Sequence, residues 1–61
     1  MKELDVVKLK VSFKNLPAGT KGAIVHEYDG SFYEVEFVDS ESNTIDVLTT
    51  PADLLELVED L

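Results

Sequence analysis

The chain predicts an all-β fold, one small curled antiparallel sheet of five strands with a single helical turn before the last. Three observations carry this. In the run Phe32 to Val38, Tyr33, Val35 and Phe37 alternate with Glu34 and Glu36, giving one face suited to a core and one suited to water. The same period of two recurs in three further runs separated by turn-forming residues. A helix-start signal at Thr50-Pro51-Ala52-Asp53 stands directly before a last apolar stretch.

The first strand spans Asp5 to Ser12, with Val7, Leu9 and Val11 on one face and Val6, Lys8, Lys10 and Ser12 on the other. Its lysines discourage pairing with stray edges. Phe13 to Lys21 contains Asn15, Pro17 and Gly19, breaks the period and reads as the longest loop. Gly22 and Gly19 both read as residues of tight turns. Gly22 to Tyr28 resumes a strand in which Ala23 and Val25 oppose Ile24, His26 and Tyr28. Both of its faces carry apolar groups, as in strands that bend across two half-sheets.

Asp29-Gly30 joins that strand to Phe32–Val38 as a hairpin, because glycine accepts positive φ without a Cβ clash and aspartate tolerates it. Asp39-Ser40-Glu41-Ser42-Asn43 is the next polar turn. Thr44 to Thr50 follows, with Ile45, Val47 and Thr49 alternating with Asp46 and Leu48. At Thr50-Pro51-Ala52-Asp53 a threonine N-cap, a proline at the first helical position and an acid three residues on start a helical turn. Periodicity alone leaves open whether this turn continues to Asp60 as a helix or gives way to a strand at Leu55-Glu56-Leu57-Val58. The strand is preferred, because a fifth strand paired with the first would close a small barrel and remove two open edges.

At 61 residues there is room for one domain, residues 1–61, with one core. A chain this short buries only about 60% of its unfolded surface, so stability is expected to be marginal. The absence of cysteine excludes disulfides, thiolate metal sites and a catalytic thiol. No apolar run approaches the ~18 residues of a membrane span, and the start Met-Lys-Glu-Leu-Asp is unlike a signal peptide. A cytoplasmic protein is therefore expected. Thirteen Asp plus Glu against five Lys and no Arg give a formal net charge of −8. The lysines all lie at or before Lys21. Such a chain is repelled by nucleic acids and anionic membranes and attracted to basic protein surfaces.

Leu4-Asp5-Val6-Val7, the stretch Leu16-Pro17-Ala18-Gly19-Thr20-Lys21-Gly22 followed by Ile24-Val25, and Tyr33-Glu34-Val35-Glu36-Phe37 resemble the small bacterial family known as domain of unknown function 4926. The likeness covers nearly the whole chain. It implies a small five-stranded SH3-like barrel and no particular activity. Thr-Pro-Ala-Asp-Leu-Leu-Glu-Leu-Val is likewise similar to the short 3₁₀ turn and last strand of SH3-like barrels. The tryptophan and aromatic groove of signalling SH3 domains are missing, so polyproline binding is not implied.

No catalytic residues, metal ligands or cofactor are assigned. His26, the one histidine, has no serine or second histidine at triad spacing and reads as a pH-sensitive surface group. Asp39 to Asn43 lacks the glycine and distant glutamate of a calcium loop, and Gly19 and Gly22 lack the sequence that makes a phosphate-binding loop. The candidate protein-binding residues are Tyr28, Phe32, Glu34 and Glu36. Phe32 shares the parity of the glutamates and faces Tyr28 across the Asp29-Gly30 turn, as an outward anchor or as a cap on the barrel mouth. The function expected is a non-catalytic protein-binding module, an acidic neutralising partner of a basic protein in the manner of an antitoxin or immunity protein. The alternative is an accessory or assembly domain of a larger enzyme, and a nucleic-acid-binding barrel is disfavoured by charge.

Overall fold

The computed structural model describes residues 1–58. Its elements are β1 (Val6–Leu9), β2 (Lys21–Glu27), β3 (Phe32–Val38), β4 (Thr44–Pro51), a 3₁₀ turn (Ala52–Leu54) and β5 (Leu55–Leu57). The strands are all antiparallel in one sheet of order β4-β3-β2-β1-β5, the five-stranded SH3-like arrangement expected from the sequence. The described part of the C-terminal segment is strand, and Asp60, the far end of the alternative helix, lies outside the described residues.

Strand β2 serves both halves of the sheet. Lys21 to Ala23 pair with β1, while β3 is paired along the whole of β2, from Lys21 opposite Val38 to Glu27 opposite Tyr33. Beyond Ala23 the chain before β1 takes over, with Ile24 N–H donating to Asp5 O at 3.0 Å and Leu4 N–H to Ile24 O at 2.7 Å. A register shift between Ile24 and His26 marks the place. It leaves Val25 without a partner and resolves the two-faced pattern of this strand. Ile24 turns into the core, while Val25 is 42% exposed.

The core is Val7, Leu9, Leu16, Ile24, Tyr33, Val35, Phe37 and Leu55. Tyr33, Val35 and Phe37 all face inward, as their alternation requires. Each such side chain contributes about 1.5 to 3 kcal/mol by leaving water, a large share of the few kcal/mol a domain of this size retains. Among the described residues the one buried polar side chain is Thr50, which lies in β4 rather than capping the 3₁₀ turn and donates its hydroxyl to Leu48 O at 3.1 Å, so its burial leaves no orphaned group.

The structure departs from the plain strand pattern at several points. Strand β1 ends at Leu9, because Leu9 O accepts from Gly19 N–H and the next amide, Lys10 N–H, turns to Leu54 O, both at 2.8 Å; Val11 then lies in the loop, half exposed rather than in the core. The loop contains its own two-residue turn, with Phe13 and Leu16 exchanging both backbone bonds at 2.8 Å around Lys14 and Asn15, which have positive φ. That turn inserts Leu16 into the core. On β4 the apolar pair Ile45 and Val47 faces outward, because Leu48 and Thr50 are the residues opposite Val35 and Tyr33. Finally, pairing of β5 with β1 does not remove the open edges, since β4 and β5 remain the terminal strands.

Only one of the two loop glycines is a turn residue. Gly19 has φ of +90°, but Gly22 lies within β2 between Val7 and Phe37, and a Cβ there would stand 2.7 Å from Glu36 O and 2.8 Å from Val35 Cγ1. Backbone cannot yield as a flexible side chain does. Gly22→Ala is therefore expected to lose about 1 to 3 kcal/mol. Gly19→Ala, which meets nothing within 4 Å and suffers only from its φ, is expected to lose about 1 kcal/mol. Urea unfolding midpoints at unchanged slope measure both, and a Gly22→Ala domain as stable as the parent would contradict the close approach of β2 and β3.

Candidate functional site

The outward face of β3 gathers the residues the sequence singles out. Phe32, Glu34 and Glu36 share that face by parity, and Tyr28, whose N–H donates to Phe32 O at 3.2 Å, stands across the hairpin on the same side. Tyr28 is 54% exposed and Phe32 45%, so Phe32 is an outward residue and not a member of the core. The hairpin between them is held locally, Asp29 Oδ1 accepting from Ser31 N–H at 2.9 Å and Gly30 taking φ of +85°.

The two glutamates are positioned by neighbours that only strand register reveals. Glu34 Oε1 accepts from Tyr28 Oη at 3.2 Å and from Thr49 Oγ1 at 2.6 Å. Glu36 Oε2 accepts from Thr44 Oγ1. Both carboxylates are thereby half-buried and drawn over β4. Tyr28 also packs edge-on against His26, with ring centroids 4.6 Å apart and planes at 75°. His26 in turn lies 3.9 Å from Glu3, its side chain about half exposed. The aromatic contact that forms is thus Tyr28 with His26, and Phe32 stands beside it opposite Pro51.

Val6, Ala23, Glu36 and Val47 form one row across this outer face, and Lys8, Lys21, Val38 and Thr44 form the next. Lys8 lies directly opposite Lys21, a like-charge pair relieved on the other side of Lys8 by Glu56. Among the described residues His26 with Glu3 is the sole acid–base contact within 4.0 Å. The negative charge is therefore spread rather than locally neutralised.

The turn Asp39 to Asn43 uses its acid internally. Asp39 Oδ1 accepts from the N–H groups of Glu41 and Asn43, each at 2.9 Å, which, with the Asn43 bond the larger influence, holds the carboxyl below its usual 3.8. Ser42, with φ of +68°, completes the reversal. An open cleft of about 710 Å³ lies between this turn and the Pro17 to Lys21 loop, away from Tyr28 and Glu34. No helix among the described residues is long and apolar enough to cross a membrane.

Against this geometry, the family model described as a domain of unknown function (DUF4926) matches residues 3–60. The chain belongs to that family. No curated protein and no solved structure matches it. The DUF4926 match spans every strand of the sheet and both sides of the outer face, so the acid and aromatic rows lie within the family domain itself.

Two measurements follow from these electrostatics. Sodium chloride raised from about 0.01 to 0.1 M shortens the screening length from about 30 to about 10 Å and is expected to raise the melting temperature of this DUF4926 domain. A flat or falling calorimetric midpoint would mean the acids are already compensated. For Asp39 the folded carboxyl is the stronger acid, so its contribution is complete above the unfolded value of 3.8 and is lost as pH falls through the lower folded value. NMR titration should show the Glu41 and Asn43 amides following this step below 3.8, and Asp39→Asn should abolish it.

Proposed function

We propose that this domain is a non-catalytic protein-binding module whose outer β3 face docks a basic protein. The observation that carries the reading is the joint placement, on one exposed face, of two aromatic side chains and two glutamates already fixed by hydrogen bonds. Aromatic anchors lose little rotamer freedom on burial, and fixed carboxylates need no reordering to receive a cation. The net charge of −8 adds long-range attraction for a basic surface and repulsion of nucleic acid. An acidic neutralising partner, in the manner of an antitoxin or immunity protein, is the role these properties suit best, and it is a cytoplasmic one.

The two components separate kinetically. With a basic protein that co-purifies with the domain, Phe32→Ala is expected to speed dissociation and cost on the order of 2 kcal/mol, while Glu34→Lys and Glu36→Lys chiefly slow association and flatten its salt dependence. Circular dichroism establishes that each variant remains folded. If all three stay folded and bind as the parent does, this face is not the interface.

A further inference from the structure

We infer that the free edge of β4 receives the basic partner as an extended segment, which adds a sixth strand and sets Lys or Arg side chains against Glu34 and Glu36. The inference rests on the docking reading above and specifies its partner. Strand β4, eight residues long, pairs with β3 alone and has no strand on its other side among the described residues. The direction of its backbone groups is fixed from one end. Ala52 N–H donates to Ser31 O at 2.8 Å, so by antiparallel alternation Thr50 and Leu48 turn their backbone groups to β3, and Pro51, Thr49 and Val47 turn theirs outward. Pro51 fits this phase, since at an outward position it has no ladder bond to lose.

The edge is partly occupied. The outward N–H of Val47 donates to the neighbouring Asp46 Oδ1 at 2.8 Å, while Thr49 N–H and C=O and Val47 C=O face away from β3. Asp46 thus covers the N–H that an incoming strand needs. A cation on that strand would draw the carboxylate away, whereas a second copy of this chain would bring only another Asp46 and a net charge of −8. The edge carries no lysine, the residue that would repel a basic strand.

The glutamates lean the same way. Thr49 and Thr44, both on β4, hold the carboxylates of Glu34 and Glu36, so these sit about one strand spacing, ~4.8 Å, from an added strand. In an antiparallel addition the residues opposite Val47 and Thr49 point their side chains to this outer face and their amides to β4. Basic residues at alternate positions therefore carry both the ion pairs and the backbone bonds.

The test uses the full chain, labelled with ¹⁵N at low salt, and a nine-residue peptide alternating lysine with threonine. Saturable binding with the largest shifts at the Val47 and Thr49 amides is expected. N-methylation of the lysine amides should weaken it at least about tenfold, and N-methylation of the threonine amides should not. Glu34→Gln with Glu36→Gln should weaken the parent peptide by about as much. Equal binding of both methylated peptides, with the glutamates still required, overturns strand addition and leaves the docking face standing. Dependence on methylation with no effect of the glutamates overturns the proposed lysine placement and the docking face together. Absence of saturable binding up to about 1 mM overturns the inference, and the globular partner then tests the face alone.

Discussion

The absence of a side chain at position 22 is the constraint on which the rest of this sheet depends. Strand β2 must pair with β1 on one side and β3 on the other while the sheet curls tightly enough to enclose the core around Val7, Val35 and Phe37. At Gly22 the curl brings β3 so near that a methyl group would meet the carbonyl of Glu36 at 2.7 Å. The room left by the missing side chain lets Val7 and Phe37, its partners on either side, share the inner row. With no cysteine in the chain, no covalent device backs up that contact if it opens.

Much of this was legible in the sequence, and the exceptions have a common cause. The strand Phe32–Val38 falls where alternation and the Asp29-Gly30 turn put it, and the 3₁₀ turn forms at the expected place, although Pro51 rather than Thr50 is its N-cap and no side chain caps it. Alternation describes a strand without saying where an extra residue enters. The register shift at Ile24/His26 on β2 turns His26 and Tyr28 out beside Glu34 and leaves Val25 unpaired, and the shift at Phe37/Val38 leaves Ile45 unpaired on β4. Leu16 was hidden for another reason. Its burial follows from a small turn inside a loop, where Asn15 favours the left-handed backbone it adopts but Lys14 does not announce its own.

The candidate site divides along the same line. Parity alone placed Phe32, Glu34 and Glu36 on one face, and the hairpin placed Tyr28 beside them. The threonines that fix the two glutamates, Thr44 and Thr49, lie eight and fifteen residues away from them, and His26 packs on Tyr28. Which threonine meets which glutamate depends on the extra residue near Ile45, a detail of backbone count that no side-chain pattern records. A face whose acids are already bonded to hydroxyl groups is also less free to rearrange, so the docking proposed for it would proceed by fit rather than by accommodation.

The pairing of Lys8 with Lys21 on the same outer surface as Glu34 and Glu36 has a consequence for motion before contact. Separation of these two lysines from the two glutamates gives this face a dipole in addition to the molecule's net charge. A basic body approaching in solution therefore exerts a torque as well as a pull, turning the β3–β4 side toward itself and the lysines away. Rotational search is shortened at distances where no side chain yet touches. Reversing Lys8 and Lys21 would deepen the overall attraction while blunting this alignment, so the more acidic molecule would collide more often but less often face first.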